Sequence, residues 1–169
     1  MILIADSGSS KTDWRVIHRN GKISQHRGVG FNPYYQTSEE MAIQMRDDFL
    51  INLESEIESI YYYGAGCSSK DRKAEVTAAL KTIFPNSIIA VDHDLSAAAK
   101  ATCGHKSGIA CILGTGSNSC DYDGQNIIDT RPAPGYILGD EGGGGYIGRK
   151  FLTDFINEEM PESIRRELL

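Results

Sequence analysis

The sequence of 169 residues lacks an excess of basic residues, and this shortage limits the partners that it can bind. Its 17 Lys and Arg are outnumbered by 23 Asp and Glu, which gives a formal net charge of −6 at pH 7. Proteins that bind nucleic acids carry clustered basic side chains that neutralise phosphates. Because the sequence contains no such cluster, we expect no nucleic-acid partner.

Long hydrophobic runs are missing as well. About 20 consecutive apolar residues are needed to span a bilayer, and the apolar start of the chain meets Asp6 before the core of a signal peptide could form. We therefore expect a cytoplasmic protein with no membrane partner. Hydrophobic residues still make up 40% of the chain and charged residues 24%, a composition typical of a globular protein rather than a disordered one.

Closely spaced cysteines are also absent. The four cysteines, Cys67, Cys103, Cys111 and Cys120, show no Cys-x-x-Cys spacing, which zinc sites in small domains usually contain. Two of them lie in apolar or alanine-rich stretches, where a free thiol packs as a small hydrophobe. We therefore interpret the cysteines as reduced thiols rather than metal ligands.

The order of apolar segments up to residue 104 predicts a mixed sheet covered by helices, because strands alternate with helices and imply right-handed crossovers. Asn20-Gly21 predicts a type I′ turn, in which both central residues have positive φ. Met41 and Met45, with Phe49 as a candidate third member, would line one face of the first helix. Strands are predicted at 1–6, 12–18, 22–27, 59–63 and 87–91, and helices after the capping box of Thr37 and Glu40, after Ser68 or Ser69, and from Asp94 to Thr102.

Residues after Gly108 repeat this opening in kind. Strands are predicted at 109–113, from Ser117 to Tyr122 and at 126–129, followed by a helix at 145–158. The remaining strands of the first unit have no counterpart in the second. We therefore expect one domain at 1–106 and the beginning of a similar, incomplete domain at 107–169, so that this chain alone would lack part of the catalytic unit and would aggregate, pair with another chain or leave its last third mobile.

Two loops of small residues, Ser7–Lys11 and Gly114–Ser117, could each direct several backbone N–H groups at one anion. A tight hairpin turn explains either loop equally well. A Walker loop is excluded because Ser10, rather than glycine, precedes Lys11-Thr12. The dinucleotide fingerprint is excluded because Gly64-Ala65-Gly66 and Gly114-Thr115-Gly116 lack a third glycine at the required spacing.

Three aspartates stand where strands are predicted to end. Asp6 could either hold the hydration shell of a magnesium ion or start a turn. Asp92 and Asp94 could either cap the following helix or face a ligand in the crevice at the strand ends. The residues by themselves leave both alternatives open.

Four motifs taken together resemble the N-acetylglucosamine kinase branch of the sugar kinase, Hsp70 and actin ATPase superfamily. The motifs are Asp6-Ser7-Gly8-Ser9-Ser10-Lys11-Thr12, Asp92-His93-Asp94, Gly114-Thr115-Gly116-Ser117-Asn118 and Gly139-Asp140-Glu141-Gly142. The resemblance spans essentially the whole chain. It implies an α/β protein of two ribonuclease H-like units, the actin-like ATPase fold, with Mg·ATP held between two phosphate hairpins and the acceptor sugar beside them.

The resemblance also implies a role for individual residues in an ATP-dependent transfer of phosphate to an amino sugar, N-acetylglucosamine first among them. Asp94 would be the catalytic base, and Asp6 would hold Mg²⁺ through water. The ATP phosphates would contact Gly8, Ser9, Ser10, Lys11, Thr12, Gly114, Thr115 and Gly116. The sugar would contact Asn32, Ser117, Asn118, Ala133, Pro134, Gly135 and Asp140.

Two other functions and several details stay open at this stage. The same superfamily includes ATPase activators of 2-hydroxyacyl-CoA dehydratases, which need converging thiolates for an iron–sulfur cluster. A sugar- or nucleotide-binding module without catalysis is the other alternative, and the retained Asp94 argues against it. Pro134 stands where related animal enzymes carry an aromatic residue, so the identity of the sugar is open. So are the formation of a homodimer and the adenine contacts, which we expect beyond residue 169.

Overall fold

The structure is a computed structural model and describes residues 1–46, 53 and 57–168. The chain divides into two compact units, Met1–Ala97 and Ala98–Leu169, here called unit 1 and unit 2. The predicted boundary, between residues 106 and 107, lies further along the chain. Among the described residues, no helix has the length and apolar character needed to cross a bilayer.

Unit 1 contains the predicted mixed sheet flanked by helices. Its five strands lie in the order β3-β2-β1-β4-β5, with β2 antiparallel to its neighbours β1 and β3, and with β4 and β5 parallel to β1. The strands are β1 (Ile2–Ser7), β2 (Lys11–Ile17), β3 (Ile23–Val29), β4 (Ser59–Gly64) and β5 (Ile88–His93), and the helices are α1 (Ser38–Arg46), α2 (Lys70–Ile83) and α3 (Asp94–Cys103), the last of which continues into unit 2.

The core of unit 1 lies on one face of this sheet, because side chains on a strand alternate between its two faces. Every second residue of β1 is buried, from Leu3 to Ser7, and β2 and β4 follow the same alternation. The only tryptophan of the chain, Trp14, is fully buried with its ring centroid 6.1 Å from that of Tyr62. Helices α1 and α2 complete the core with buried apolar residues, namely Met41, Ala42, Met45, Val76, Ala79, Leu80 and Ile83.

Local signals in the sequence predicted the starts of α1 and α2 correctly. The backbone N–H of Thr37 donates to Glu40 Oε2 at 2.9 Å, and the N–H of Glu40 donates to Thr37 Oγ1 at 3.3 Å, which is the expected capping box. Ser69, one of the two candidates, caps α2 by accepting the N–H of Arg72. Phe49, the candidate third member of the α1 face, lies outside the described residues.

The predicted type I′ turn at Asn20-Gly21 is wrong, although the hairpin itself is present. Gly21 has a φ of 80°, but Asn20 does not have the positive φ that this turn type requires. The His18 N–H donates to the carbonyl of Lys22, and the Gly21 N–H donates to the carbonyl of His18, both at 2.9 Å. The connection is therefore one residue longer, with a single left-handed glycine, and Asn20 Oδ1 accepts the Lys22 N–H instead.

Unit 2 opens with the predicted second meander. Strands β6 (Gly108–Leu113), β7 (Ser117–Tyr122) and β8 (Ile127–Thr130) form an antiparallel sheet in chain order. The predicted long helix is α5 (Gly144–Ile156), and it is preceded by a short α4 (Gly135–Leu138) and followed by a short α6 (Glu162–Arg165). None of α4, α5 or α6 has a buried residue, and large apolar side chains such as Ile137 and Leu138 are each 78% exposed.

Candidate functional site

The carboxyl ends of the parallel strands β1, β4 and β5 bring several predicted site residues together in unit 1. In the strand register Asp6 lies beside Tyr63, and Tyr63 lies beside Asp92, so these three residues share one face of the sheet. Ligands in open α/β sheets bind outside the carboxyl ends of strands. The sequence therefore directs two of its candidate carboxylates to the edge where a ligand is expected.

The first small-residue loop closes the turn between β1 and β2. The Gly8 N–H donates to the carbonyl of Lys11 at 2.9 Å, while the side chains of Ser9 and Ser10 are exposed. Ser7 and Thr12 form the last residue pair below the loop, and both are fully buried. The exposed part of the loop is thus its tip, from Gly8 to Lys11.

Thr12 lies under the loop rather than at its surface. Its Oγ1 is 2.8 Å from Ser7 Oγ and donates to the carbonyl of Val29 at 2.8 Å. Because the hydroxyl is enclosed and already bonded, it supports the loop from below in this conformation. The phosphate contact that the resemblance implies for Thr12 stays a prediction, and in this conformation the buried hydroxyl reaches Ser7 and Val29.

Gly30 is a residue of this site that the sequence analysis missed. A Cβ atom placed on Gly30 would lie 2.3 Å from the carbonyl oxygen of Gly8 and 2.5 Å from the backbone nitrogens of Ser10 and Lys11. Only glycine allows so close an approach of two backbones. The chain just after β3 therefore packs against the first loop. The glycine at position 30, in a segment predicted only as a loop, was the sequence signal for this close contact.

Asn32 connects the first loop to the loop that follows β4. Its Nδ2 donates to Ser9 Oγ at 2.9 Å, and its Oδ1 accepts the backbone N–H of Tyr34 at 3.0 Å. Gly66, with a φ of 78°, packs so closely that a Cβ there would lie 2.5 Å from Asn32 Oδ1. The Tyr34 hydroxyl is 3.0 Å from Ser68 Oγ.

The segment Gly64-Ala65-Gly66 and Tyr34 therefore also belong to this cluster, although the sequence analysis did not place them there. The Ala65 N–H donates to the carbonyl of Ser7 at 2.7 Å, which fixes this segment beside the first loop. The position of Gly64-Ala65-Gly66 directly after a central parallel strand was the signal that could have found it.

Asp94 is the first residue of α3 and is half-buried. Its Oδ1 lies 2.7 Å from His93 Nδ1 and accepts the backbone N–H of Leu95 at 2.8 Å. Partial burial raises the pKa of Asp6 above its ordinary value, and the negative charges of Asp94 and Asp13 raise it further. Asp6 and Asp94 are thus within electrostatic range of each other, as expected for two carboxylates of one site.

Asp92 is held differently from Asp94. Its Oδ1 accepts a hydrogen bond from Lys73 Nζ at 2.7 Å and another from the His93 N–H at 2.9 Å. Burial alone would raise the pKa of Asp92, but the hydrogen bonds from Lys73, His93 and Ser96 outweigh burial and lower it. Asp92 is therefore a paired carboxylate that joins α2 to the end of β5.

Unit 2 holds the second small-residue loop against the segment that precedes α5. The N–H groups of Gly144 and Gly145 donate to the carbonyls of Gly114 and Thr115, at 2.8 and 2.9 Å. A Cβ on Gly143 would lie 2.7 Å from the carbonyl carbon of Gly116. The glycine-rich run after Asp140 is therefore required by direct backbone packing on the loop.

Asp140 takes part in the same packing. It has a φ of 62°, a conformation uncommon for residues other than glycine, and its Oδ1 accepts the backbone N–H of Ser117 at 3.2 Å. The structure thus brings together residues of two predicted motifs, Gly116 and Ser117 from the first and Asp140 from the second. The Thr115 side chain is exposed at the tip of the loop.

The other predicted sugar residues of unit 2 lie on β7 and before α4. Asn118 is half-buried, and its Oδ1 accepts the Ser119 N–H at 2.8 Å. Ala133 and Pro134 are exposed, and Gly135 has a φ of 76° where α4 begins. The Pro134 ring lies against Gly139, where a Cβ would be 2.7 Å from Pro134 Cγ.

Comparisons with solved structures reveal the relatives of this chain. A putative N-acetylglucosamine kinase from Porphyromonas gingivalis superposes with a TM-score of 0.91 and 41% sequence identity, over 99% of this chain and 60% of that protein. The resemblance to the N-acetylglucosamine kinase branch is confirmed. This chain spans 60% of the length of the Porphyromonas protein. No protein-family model matches the chain, and no curated protein does.

More distant structures share the fold alone. A protein of the same description from Chromobacterium violaceum has a TM-score of 0.63 at 18% identity, over 88% of this chain and 54% of its own. MreB5 of Spiroplasma citri, solved with bound ADP, has a TM-score of 0.54 at 6% identity, over 77% of this chain and 50% of its own. The chain thus has the α/β fold of the actin-like ATPases, as predicted.

Proposed function

We propose that the protein is an ATP-dependent sugar kinase that transfers the γ-phosphoryl group of ATP to a hydroxyl of an amino sugar, with N-acetylglucosamine and its 6-phosphate as substrate and product. The observation that carries this proposal is the grouping of Asp6, Asp94 and the first loop at the carboxyl ends of β1, β4 and β5. The 41% identity to the Porphyromonas protein supports the same class of reaction.

The residues present fit Mg·ATP. Just after β3, the backbone approaches the first loop so closely at Gly30 that a side chain there would collide with the loop. The loop is thus a tight turn with an exposed tip. Phosphate oxygens are suited to such turns because several N–H groups can point at one anion. We propose that Gly8, Ser9, Ser10 and Lys11 bind phosphate oxygens in unit 1, and that Gly114, Thr115 and Gly116 do so in unit 2.

Asp6 is the residue that would hold magnesium, through water, at the end of β1. When bound, the ion would neutralise charge on the phosphates and orient them for in-line transfer. Thr12 would contribute from below by fixing the last residue pair of the hairpin. Its part is structural in this proposal, since its hydroxyl already bonds Ser7 and Val29.

Asp94 would accept the proton of the attacking sugar hydroxyl. Phosphoryl transfer needs mainly positioning and charge neutralisation, together with one carboxylate that takes this proton. Asn32, Ser117, Asn118, Asp140 and the segment from Ala133 to Gly135 would hold the sugar, because fixed donors and acceptors reject analogues that lack the matching hydroxyl. The bond from Asn32 to Ser9 connects the proposed sugar contact directly to the first loop.

A coupled assay of ADP release from the natural full-length protein tests this function. N-acetylglucosamine, glucosamine, glucose and N-acetylmannosamine are compared as acceptors, and we expect N-acetylglucosamine to give the highest kcat/KM. Asp94→Asn should lower kcat by roughly 10²- to 10⁴-fold, the usual contribution of a positioned general base, with little change in sugar affinity.

The control for this assay is Asp71→Asn, which alters an exposed aspartate in the first turn of α2. This variant should keep the activity of the unaltered protein. Sugar-independent ADP release at the same rate would contradict a sugar kinase. Near-normal turnover of Asp94→Asn would show that Asp94 only starts a helix, and the base would then be sought at Asp92 and Asp140.

A further inference from the structure

An ion pair joins helix α2 to the last strand of the sheet, beside the proposed base. Lys73, in the first half of α2, places its Nζ 2.7 Å from Asp92 Oδ1 near the end of β5. Both side chains are 35% exposed, so the pair is partly shielded from water. Helix α2 also packs along β5, and this packing keeps Lys73 beside Asp92.

The Asp92 carboxylate does more than pair with Lys73. It accepts the backbone N–H of His93 at 2.9 Å and a hydrogen bond from the side chain of Ser96, which is buried in the first turn of α3. One carboxylate thus connects α2, the turn between β5 and α3, and the start of α3. Asp94 lies inside this turn, between the two residues that Asp92 holds.

The charges around this turn show why a cation is needed there. Asp6, Asp92 and Asp94 are three carboxylates near the ends of β1 and β5, and the thiol of Cys67 lies within electrostatic range of Lys73, Asp92 and Asp94. Like charges so close together repel one another. Lys73 lies at hydrogen-bond distance from Asp92, whereas the carboxylate of Asp94 lies beside His93 Nδ1 and the backbone N–H of Leu95.

We infer that Lys73 and Asp92 are positioning residues for Asp94 in the phosphoryl transfer, an inference that rests on the proposed function. Lys73 holds the Asp92 carboxylate, and Asp92 in turn holds the His93 N–H and the Ser96 side chain. The turn between them then presents the Asp94 carboxylate in one orientation. Neither Lys73 nor Asp92 touches the reacting atoms.

Four variants of the natural full-length protein test this inference. Lys73→Met keeps most of the unbranched side chain without its charge, and we expect kcat to fall about tenfold, because displacing a reacting group by a fraction of an ångström is costly. The KM values for ATP and sugar should stay within about twofold, since neither substrate is held by the pair. Lys73→Arg should retain most of the activity because it keeps the charge.

Asp92→Asn and the double variant Lys73→Met/Asp92→Asn measure the coupling within the pair. The amide oxygen of the introduced asparagine can still accept the His93 N–H, so Asp92→Asn should lose less kcat than Lys73→Met. The double variant should recover part of the activity lost by Lys73→Met, because the unbalanced carboxylate is gone. Lys70→Met, which alters an exposed lysine at the start of the same helix, is the matched control and should behave as the unaltered protein.

Asp94→Asn in the same series separates the two proposals. If Asp94→Asn abolishes turnover while Lys73→Met and Asp92→Asn keep kcat within about twofold, the pair is only structural and the inference is overturned. If Asp94→Asn keeps normal turnover, Asp94 is not the base and the inference falls with that assignment, whereas the kinase function itself is contradicted by sugar-independent ADP release. Should Lys73→Met not fold, Asp92→Asn still decides. Its kcat should fall by more than twofold, and the amide resonance of Leu95, which donates to Asp94, should shift in Asp92→Asn but not in Lys70→Met.

Discussion

Ser7 Oγ lies 2.8 Å from Thr12 Oγ1, and this fully buried contact joins β1 to β2 directly beneath the first loop. Thr12→Val keeps the shape of the side chain but removes this bond and the donation to the Val29 carbonyl. We expect the free energy of unfolding to fall by about 1–3 kcal/mol, because buried polar groups lose their partner. Urea denaturation measures the change.

Thr82→Val is the matched control for that prediction. Thr82 is exposed on α2, and its hydroxyl donates within the helix, to the carbonyl of Ala78. Its replacement should change stability by less than about 0.5 kcal/mol. Equal losses in the two variants would mean that the hydroxyl network under the loop contributes nothing of its own.

Gly30→Ala should disturb the first loop more than any change on the loop surface. The new Cβ would lie 2.3 Å from the Gly8 carbonyl oxygen, so one of the two backbones must move. We expect a rise of at least about tenfold in the KM for ATP, since the N–H groups of the loop would be misaligned. Gly148→Ala is the matched control, because Gly148 lies in α5, outside both loops, and a Cβ there meets nothing within 4 Å.

Thr115→Val and Asn118→Ala should separate the proposed nucleotide and sugar contacts of unit 2. Thr115→Val removes one exposed hydroxyl while keeping a β-branched side chain, and should weaken ATP binding more than sugar binding. Asn118→Ala should do the reverse. Calorimetric titration of both variants with ATP and with sugar measures the affinities. If both variants weaken both ligands equally, the second loop is only a structural hairpin.

The ionisation of the buried Cys67 thiol should make the stability of unit 1 depend on pH in the alkaline range. Burial, and then the charge of Asp94, raise the pKa of Cys67 from 9.0 to about 11. Between these values the unfolded chain ionises the thiol and the folded chain does not, so the contribution to stability is present below about pH 9 and is lost as the pH rises towards 11.

Thiol labelling with iodoacetamide at pH 8, followed by mass spectrometry, checks the burial of Cys67. Cys111 is exposed and should be modified first, whereas Cys67 should react only in denaturant. A Cys67→Ser variant should lose the part of the pH dependence assigned to this thiol. Rapid labelling of Cys67 in the folded chain would contradict the packing described for unit 1.

The exposed apolar side chains of α4 and α5 predict self-association of the 169-residue chain. Ile137, Leu138, Leu152 and Ile156 are each more than half exposed, and Arg149 holds the two helices together through the carbonyls of Tyr136 and Ile137. Sedimentation velocity should show a mass that grows with concentration. Leu152→Glu should reduce this growth, whereas Ile23→Glu in unit 1 should not, and a monomer at every concentration would count against the prediction.

Much of unit 1 could be predicted because its signals are local. The capping box at Thr37, the cap at Ser69 and the alternation in β1 and β2 depend on residues close in sequence, and they predicted the elements correctly. The predicted turn type at Asn20-Gly21 was wrong because turn type depends on the twist and register of the whole hairpin. The identity of two turn residues does not determine these.

The contacts within the site were harder to predict, because they join residues far apart in the chain. Gly30 against Gly8, and Gly66 against Asn32, become visible only when the loops are folded together. The enclosure of Thr12 likewise depends on Val29, which is 17 residues away. The sequence motifs identified the residues of the loops. Which of these residues are exposed depends on how the sheet folds.

The single tryptophan makes unit 1 directly observable by optical spectroscopy. Trp14 is buried two residues after Thr12, and the chain has no other indole, so fluorescence emission reports on unit 1 alone. Circular dichroism, by contrast, sums the helices of both units. When the two signals are followed through one denaturation, coincident curves will mean that the units unfold together, and separate curves will assign a stability to each.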